Sequence, residues 1–179
     1  NVVHVLAIKG DLDGLKYFKN TFDELYGYKD RNKATLAHYA ARGGHPRVLK
    51  YLVKQSNKNI LNATDNDGWT LAHCAAAGGH LNVLKYLAKH SRVDWNSLFS
   101  KANTGLKILE LETFYKNSPH NNKLKGAIDK NSHLLASEAI KAARYDLLLN
   151  LCKRETFFND LKKPSVLEQI IDTIIKQCQ

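Results

Sequence analysis

Two stretches of this chain are near-duplicates, and that repetition limits the fold more than any local preference does. Thr35–Leu52 reads TLAHYAARGGHPRVLKYL and Thr70–Leu87 reads TLAHCAAAGGHLNVLKYL, with 14 of 18 positions identical at an offset of 35. A period of this size marks an array of small supersecondary units. One such unit cannot bury its apolar face alone, so its neighbours must stack on it. A weaker copy opens the chain. His4–Phe18 aligns at an offset of 34, pairing His4 with His38, Ala7 with Ala41, Gly10 with Gly44, Leu15 with Leu49 and Tyr17 with Tyr51. A degenerate fourth copy aligns at Ala139–Cys152, where Ala139 stands for Ala40, Ala143 for Gly44, and Leu148 and Leu151 for Leu49 and Leu52.

Each unit reads as a helix pair. Small Ala40, Ala41, Ala75 and Ala76 let an inner helix pack close to its neighbours. Gly44 and Gly79 stand where that helix ends in a left-handed turn, which only glycine adopts without strain. Pro46 suits the first turn of an outer helix, a position that needs no N–H. Val83, Leu84 and Leu87 then form an apolar stripe at helical spacing. Asp65-Asn66-Asp67-Gly68 is a turn cluster expected to project as a hairpin. In the sister copy Lys33 occupies the place of Gly68.

In these residues the chain resembles the ankyrin-repeat family, whose pattern is a turn residue, Gly, Thr-Pro-Leu-His, Ala-Ala, Gly-His and an aliphatic helix. Gly68, Thr70, His73, Ala75, Ala76, Gly79, His80, Val83, Leu84 and Leu87 fit it. So do Thr35, His38, Ala40, Ala41, Gly44, His45, Val48, Leu49 and Leu52. Leu36-Ala37 and Leu71-Ala72 replace the family's Pro-Leu, which leaves the helix start less rigid. The resemblance implies an all-α fold, an ankyrin-repeat solenoid of about three recognisable repeats (roughly 1–28, 29–63 and 64–95). Residues 96–179 are expected to be degenerate ankyrin-like repeats or capping helices. It further implies that Thr35 with His38, and Thr70 with His73, share hydrogen bonds tying one repeat to the next. His45 and His80 are expected to satisfy backbone groups at the start of the outer helices. The chain is also loosely similar to ankyrin proteins of intracellular bacteria, some delivered into host cells, which bears on localisation.

The second half loses its glycines. Asn103-Thr104-Gly105-Leu106 can stand where Asn66–Trp69 does, making 103–128 a decayed repeat, with Ser118–Lys123 as a loop. Leu134–Cys152 is apolar and helix-compatible. Ser165 with Glu168 forms a capping box after Pro164. Leu167, Ile170, Ile171, Ile174, Ile175 and Cys178 follow at helical spacing; this reads as a C-terminal cap, since solenoids need an end with a polar outer face, or else as a docking site for the rest of a longer protein.

Composition narrows the function. Apolar residues make up 44% and charged residues 25%, normal for a soluble globular protein. No apolar run is long enough to span a bilayer, and no charged-then-apolar leader opens the chain. Cys74, Cys152 and Cys178 are odd in number and far apart, which suits a reducing, cytoplasmic or other intracellular compartment. The net charge of +10 raises nucleic acid or acidic lipid as partners. Yet residues 1–90 carry +6 and residues 91–179 carry +4, so the excess is diffuse and such binding is the lesser reading. There is no phosphate-binding loop, HExxH or GxSxG, and Glu110 with Glu112 has no partner to tune it. His73-Cys74 is no nucleophile pair, because sequence neighbours on a helix point apart. No catalytic residue, metal ligand or cofactor is expected. Methionine is absent, so a regulatory or targeting piece of a larger enzyme is a further reading.

The expected function is protein–protein interaction through the concave surface, by a monomer. Trp69 occupies the family's variable position between Gly68 and Thr70, where an aromatic anchors a partner or packs on the adjacent hairpin beside Ala34. Asn66, Asp67, Ala77, Arg31, Asn32, Arg42, Ile8 and Lys9 hold other variable positions. Arg31, Arg42 and Lys9 are expected to give the groove a cationic side that favours an acidic protein partner and no small-molecule substrate.

Overall fold

A computed structural model describes residues 2–21, 27–56, 58–95, 97–98, 122–141, 145–153 and 155–177. The chain divides into two compact units, Asn1–Asp94 and Trp95–Gln179.

The first unit is three helix pairs: α1 (Val2–Lys9) with α2 (Leu12–Thr21), α3 (Leu36–Arg42) with α4 (Pro46–Gln55), and α5 (Leu71–Gly78) with α6 (Leu81–His90). The inner helices α1, α3 and α5 stack in sequence, and the outer helix of each pair packs on its own inner helix. Alanine makes the stacking possible. Ala7, Ala40, Ala41, Ala75 and Ala76 are all buried in that layer. The outer helices close it with Leu15, Val48, Leu49, Leu52, Val83, Leu84 and Leu87. Burying a Val or Leu side chain contributes about 1.5–3 kcal/mol, so this layer, not helix propensity, holds the short helices together.

The punctuation falls where the sequence places it. Gly44 and Gly79 are left-handed, with φ of 81° and 74°, and Pro46 is the first residue of α4. Before α3 and before α5 the chain makes a small hairpin, bridged between Lys29 and Thr35 and between Thr64 and Thr70. An aspartate organises each one. Asp30 accepts the amides of Asn32 and Ala34 through Oδ1; Asp65 accepts those of Asp67 and Trp69 in the same way. The amides of Asp30 and Asp65 in turn donate to the carbonyls of Ala34 and Trp69.

His45 and His80 behave differently from expectation. Neither side chain caps its own helix. His45 Nε2 instead donates to the carbonyl of Ile8 in the preceding repeat, at 2.9 Å. The His80 ring lies against Gly44, where a Cβ would come within 2.5 Å of Nδ1. Both hold the N-cap positions of α4 and α6 as expected, but their side chains turn to the preceding repeat.

The second unit contains α7 (Asn122–Lys130), α8 (Ser132–Lys141), α9 (Tyr145–Cys152), α10 (Glu155–Leu161) and α11 (Pro164–Gln177). Helix α8 is central and packs on α7, α9, α10 and α11. The helix bounds of α8 and α9 follow the alignment of the fourth copy. Leu135, Ala136, Ala139 and Ile140 are buried as Leu36, Ala37, Ala40 and Ala41 are. Ala143 lies outside the described residues, as do the proposed decayed repeat up to residue 121, the Glu110–Glu112 pair and Cys178.

Three local expectations are corrected here. Asn122 and Lys123 begin α7 and are not loop. Helix α11 starts at Pro164, so Ser165 is inside its first turn and is not the cap; proline, needing no N–H, takes the leading position itself. The α11 stripe is mostly unburied: Ile170 is covered, whereas Leu167, Ile171, Ile174 and Ile175 are exposed. The exposed surface of that helix therefore mixes these apolar side chains with Glu168, Gln169, Asp172 and Lys176.

Candidate functional site

The hairpins and inner helices of the first unit enclose two adjoining clefts. One, about 240 Å³, is lined by Asp30, Asn32, Ala34, His38, Tyr39, Arg42, Asp65, Asp67, Trp69 and Cys74. The other, about 360 Å³, is lined by His4, Val5, Ile8, Tyr28, Asp30, Arg31 and Tyr39. Asp30 and Tyr39 border both, so the two form one groove.

The Thr-His pairs fix the groove wall. The Thr35 amide donates to His38 Nδ1 at 3.1 Å, and the Thr35 hydroxyl meets the same nitrogen at 2.9 Å. With Nδ1 accepting, Nε2 carries the proton and donates to the carbonyl of Trp69 at 3.2 Å. One neutral imidazole therefore ties the α3 start to the next hairpin. Burial pushes its pKa below the ordinary value, outweighing the Trp69 carbonyl and Asp65, which act the other way. Thr70 and His73 repeat the arrangement, with contacts of 3.2 and 2.8 Å to Nδ1.

Most of the side chains singled out from sequence lie at this groove. Trp69 is half-buried, its ring 5.9 Å from that of His73, and it shares its cleft with Ala34, Asn32, Asp67 and Arg42. Arg31 lines the second cleft. Asn66 sits at the hairpin tip and is spent on stacking: its amide donates to the Asn32 carbonyl at 2.8 Å and its Nδ2 to the Arg31 carbonyl at 3.3 Å. Lys9, in the last turn of α1, is exposed and lines neither cleft.

Sequence reasoning passed over several groove residues, among them Asp30, Asp65, Tyr39 and His4. Asp30 and Asp65 stand one period apart, a signal that was available. Tyr39 shares the slot of Cys74, yet its hydroxyl reaches Asp30 Oδ2 at 2.7 Å. Burial raises the Asp30 pKa, but the bonds from Tyr39, Ala34 and Asn32 outweigh it and hold the carboxyl below its usual range. His4 is buried between the rings of Tyr28 and Tyr39, at 5.4 and 4.4 Å. Its Nε2 has no hydrogen-bond partner among the described residues, although His38, one repeat on, has one.

Cys74 is buried, and burial pushes its thiol up to about 11, far from the thiolate that reactivity needs. Among the described residues no three His, Cys, Asp or Glu side chains converge as metal ligands would, and no helix is long and apolar enough to cross a membrane.

The family profile described as ankyrin repeats (3 copies) matches residues 3–98. The chain is an ankyrin-repeat protein. Ankyrin repeats generally serve as protein-interaction modules. No curated protein matches the chain.

Proposed function

We propose that this ankyrin array binds a partner protein or peptide along the groove of the first unit and catalyses nothing. The observation that carries the reading is the continuous cleft from Tyr28 to Cys74, with Trp69 half-buried on its wall. A half-covered indole still offers a partner a large apolar area with low entropy cost. The titratable groups beside it support binding over chemistry. His38 is committed to two backbone groups, and Cys74 is held as a neutral thiol.

Trp69→Ala tests this. For a ligand selected on the intact chain, Kd should rise about thirtyfold, the usual loss for a central aromatic anchor. The melting temperature should stay nearly constant. A drop of about 5 °C or more, roughly 1 kcal/mol for a unit this size, with Kd unaltered would make Trp69 a packing residue and remove the site.

A further inference from the structure

We propose that the Trp69 cleft accepts a cationic side chain, Lys or Arg, of an extended peptide whose backbone continues past His4. This rests on the groove being the binding face and adds what the face selects.

Charge in the cleft runs against charge in the chain. The protein carries +10, yet among the described residues this cleft is lined by Asp30, Asp65 and Asp67, with Arg42 beside them. Two of the three carboxylates are built in by the fold. Asp30 and Asp65 must each cap a hairpin through Oδ1, which fixes both at the cleft edge. Asp30 spends its second oxygen on Tyr39. Among the described residues no hydrogen bond occupies Oδ2 of Asp65. Beside these anions the Trp69 ring offers the surface on which a Lys or Arg stem lies and its charged head interacts with the π face. Of the three cations from which an acidic partner is expected, Arg42 alone lines the Trp69 cleft among the described residues. Lys9 is outside the groove, and Arg31 lines only the second cleft.

The second cleft supplies an independent sign of a ligand. The His4 side chain is buried to 6% exposure, and its Nε2 is the buried side-chain polar atom left without a partner among the described residues. Leaving such a group unsatisfied is unfavourable. In the next repeat the equivalent nitrogen bonds the Trp69 carbonyl. The nitrogen is covered in the free chain, so a peptide that moves the half-exposed Tyr28 ring aside would bring a carbonyl to it and complete the same pattern.

A random twelve-residue peptide library displayed on phage, selected on the full chain and counter-selected on its Trp69→Ala variant, tests both parts. Enriched peptides should share a Lys or Arg at one position. Asp67→Lys, at an exposed hairpin tip, should weaken them about tenfold or more, and Asp67→Asn should weaken them less. His4→Phe, which keeps the ring stack, should weaken every selected peptide about fivefold regardless of its charge. Circular-dichroism melting of each variant separates these losses from unfolding. Trp69-dependent peptides that share a neutral or acidic residue instead would overturn the inference and leave the groove reading standing. No Trp69-dependent enrichment at all would overturn both.

Discussion

Lys33 and Gly68 occupy the same place in successive hairpins, and the backbone is left-handed at both, with φ of 58° and 69°. Both amides donate to the hairpin aspartate carbonyl, at 3.0 and 3.1 Å. The demand comes from the turn, not from the residue. A Cβ in that region costs about 1–2 kcal/mol, and glycine returns part of the gain through its freer unfolded chain. Lys33→Gly is therefore expected to stabilise the protein by about 0.5–1 kcal/mol, seen as a higher denaturant midpoint at unchanged slope. The sequence shows Lys33 out of place; only the backbone angle shows that the turn did not change to suit it. Trp69 is a different case. Its position between Gly68 and Thr70 marks it as a variable surface residue, but which groups meet it depends on the neighbouring repeat.

At the scale of the element, the helix pairs were legible because a period of 35 repeats their whole grammar: alanines inside, a left-handed glycine, proline or histidine before the outer helix. The contacts between elements were less so. His45 reads as a helix-start residue, yet it bonds Ile8, 37 positions earlier, and no pattern within one repeat encodes that. Helix α11 shows the same limit. Its apolar stripe is plain in the sequence, but which apolar side chains find cover depends on α8 and α10. His38 yields a prediction at this scale, because its imidazole joins α3 to the next hairpin only when neutral. Burial lowers its folded pKa below the unfolded value near 6.5, so the unfolded state binds more protons in between. The contribution is complete above about pH 6.5 and is lost as pH falls toward the folded pKa. Wild-type stability, followed by urea unfolding, should decline from pH 7 to pH 5. His38→Asn should be less stable at pH 7 and show a shallower decline. Equal slopes would mean that His38 is not held neutral by the fold.

For the whole molecule, the account assigns recognition to one face of the first unit: the hairpins and inner helices, with the outer helices as support. The array makes such a face without dedicated catalytic parts, since stacking identical units lines up Asp30 with Asp65 and Tyr39 with Cys74. Sequence identity between repeats builds the scaffold, and their few differences, Trp69 against Ala34 above all, shape the groove. Amide hydrogen exchange of the full chain, with and without a selected peptide, tests that assignment most directly, since it reports protection along the chain. Added protection is expected at residues 28–42 and 65–74, with α4 and α6 unaltered. Protection confined to those outer helices, or to the exposed stripe of α11, would contradict it.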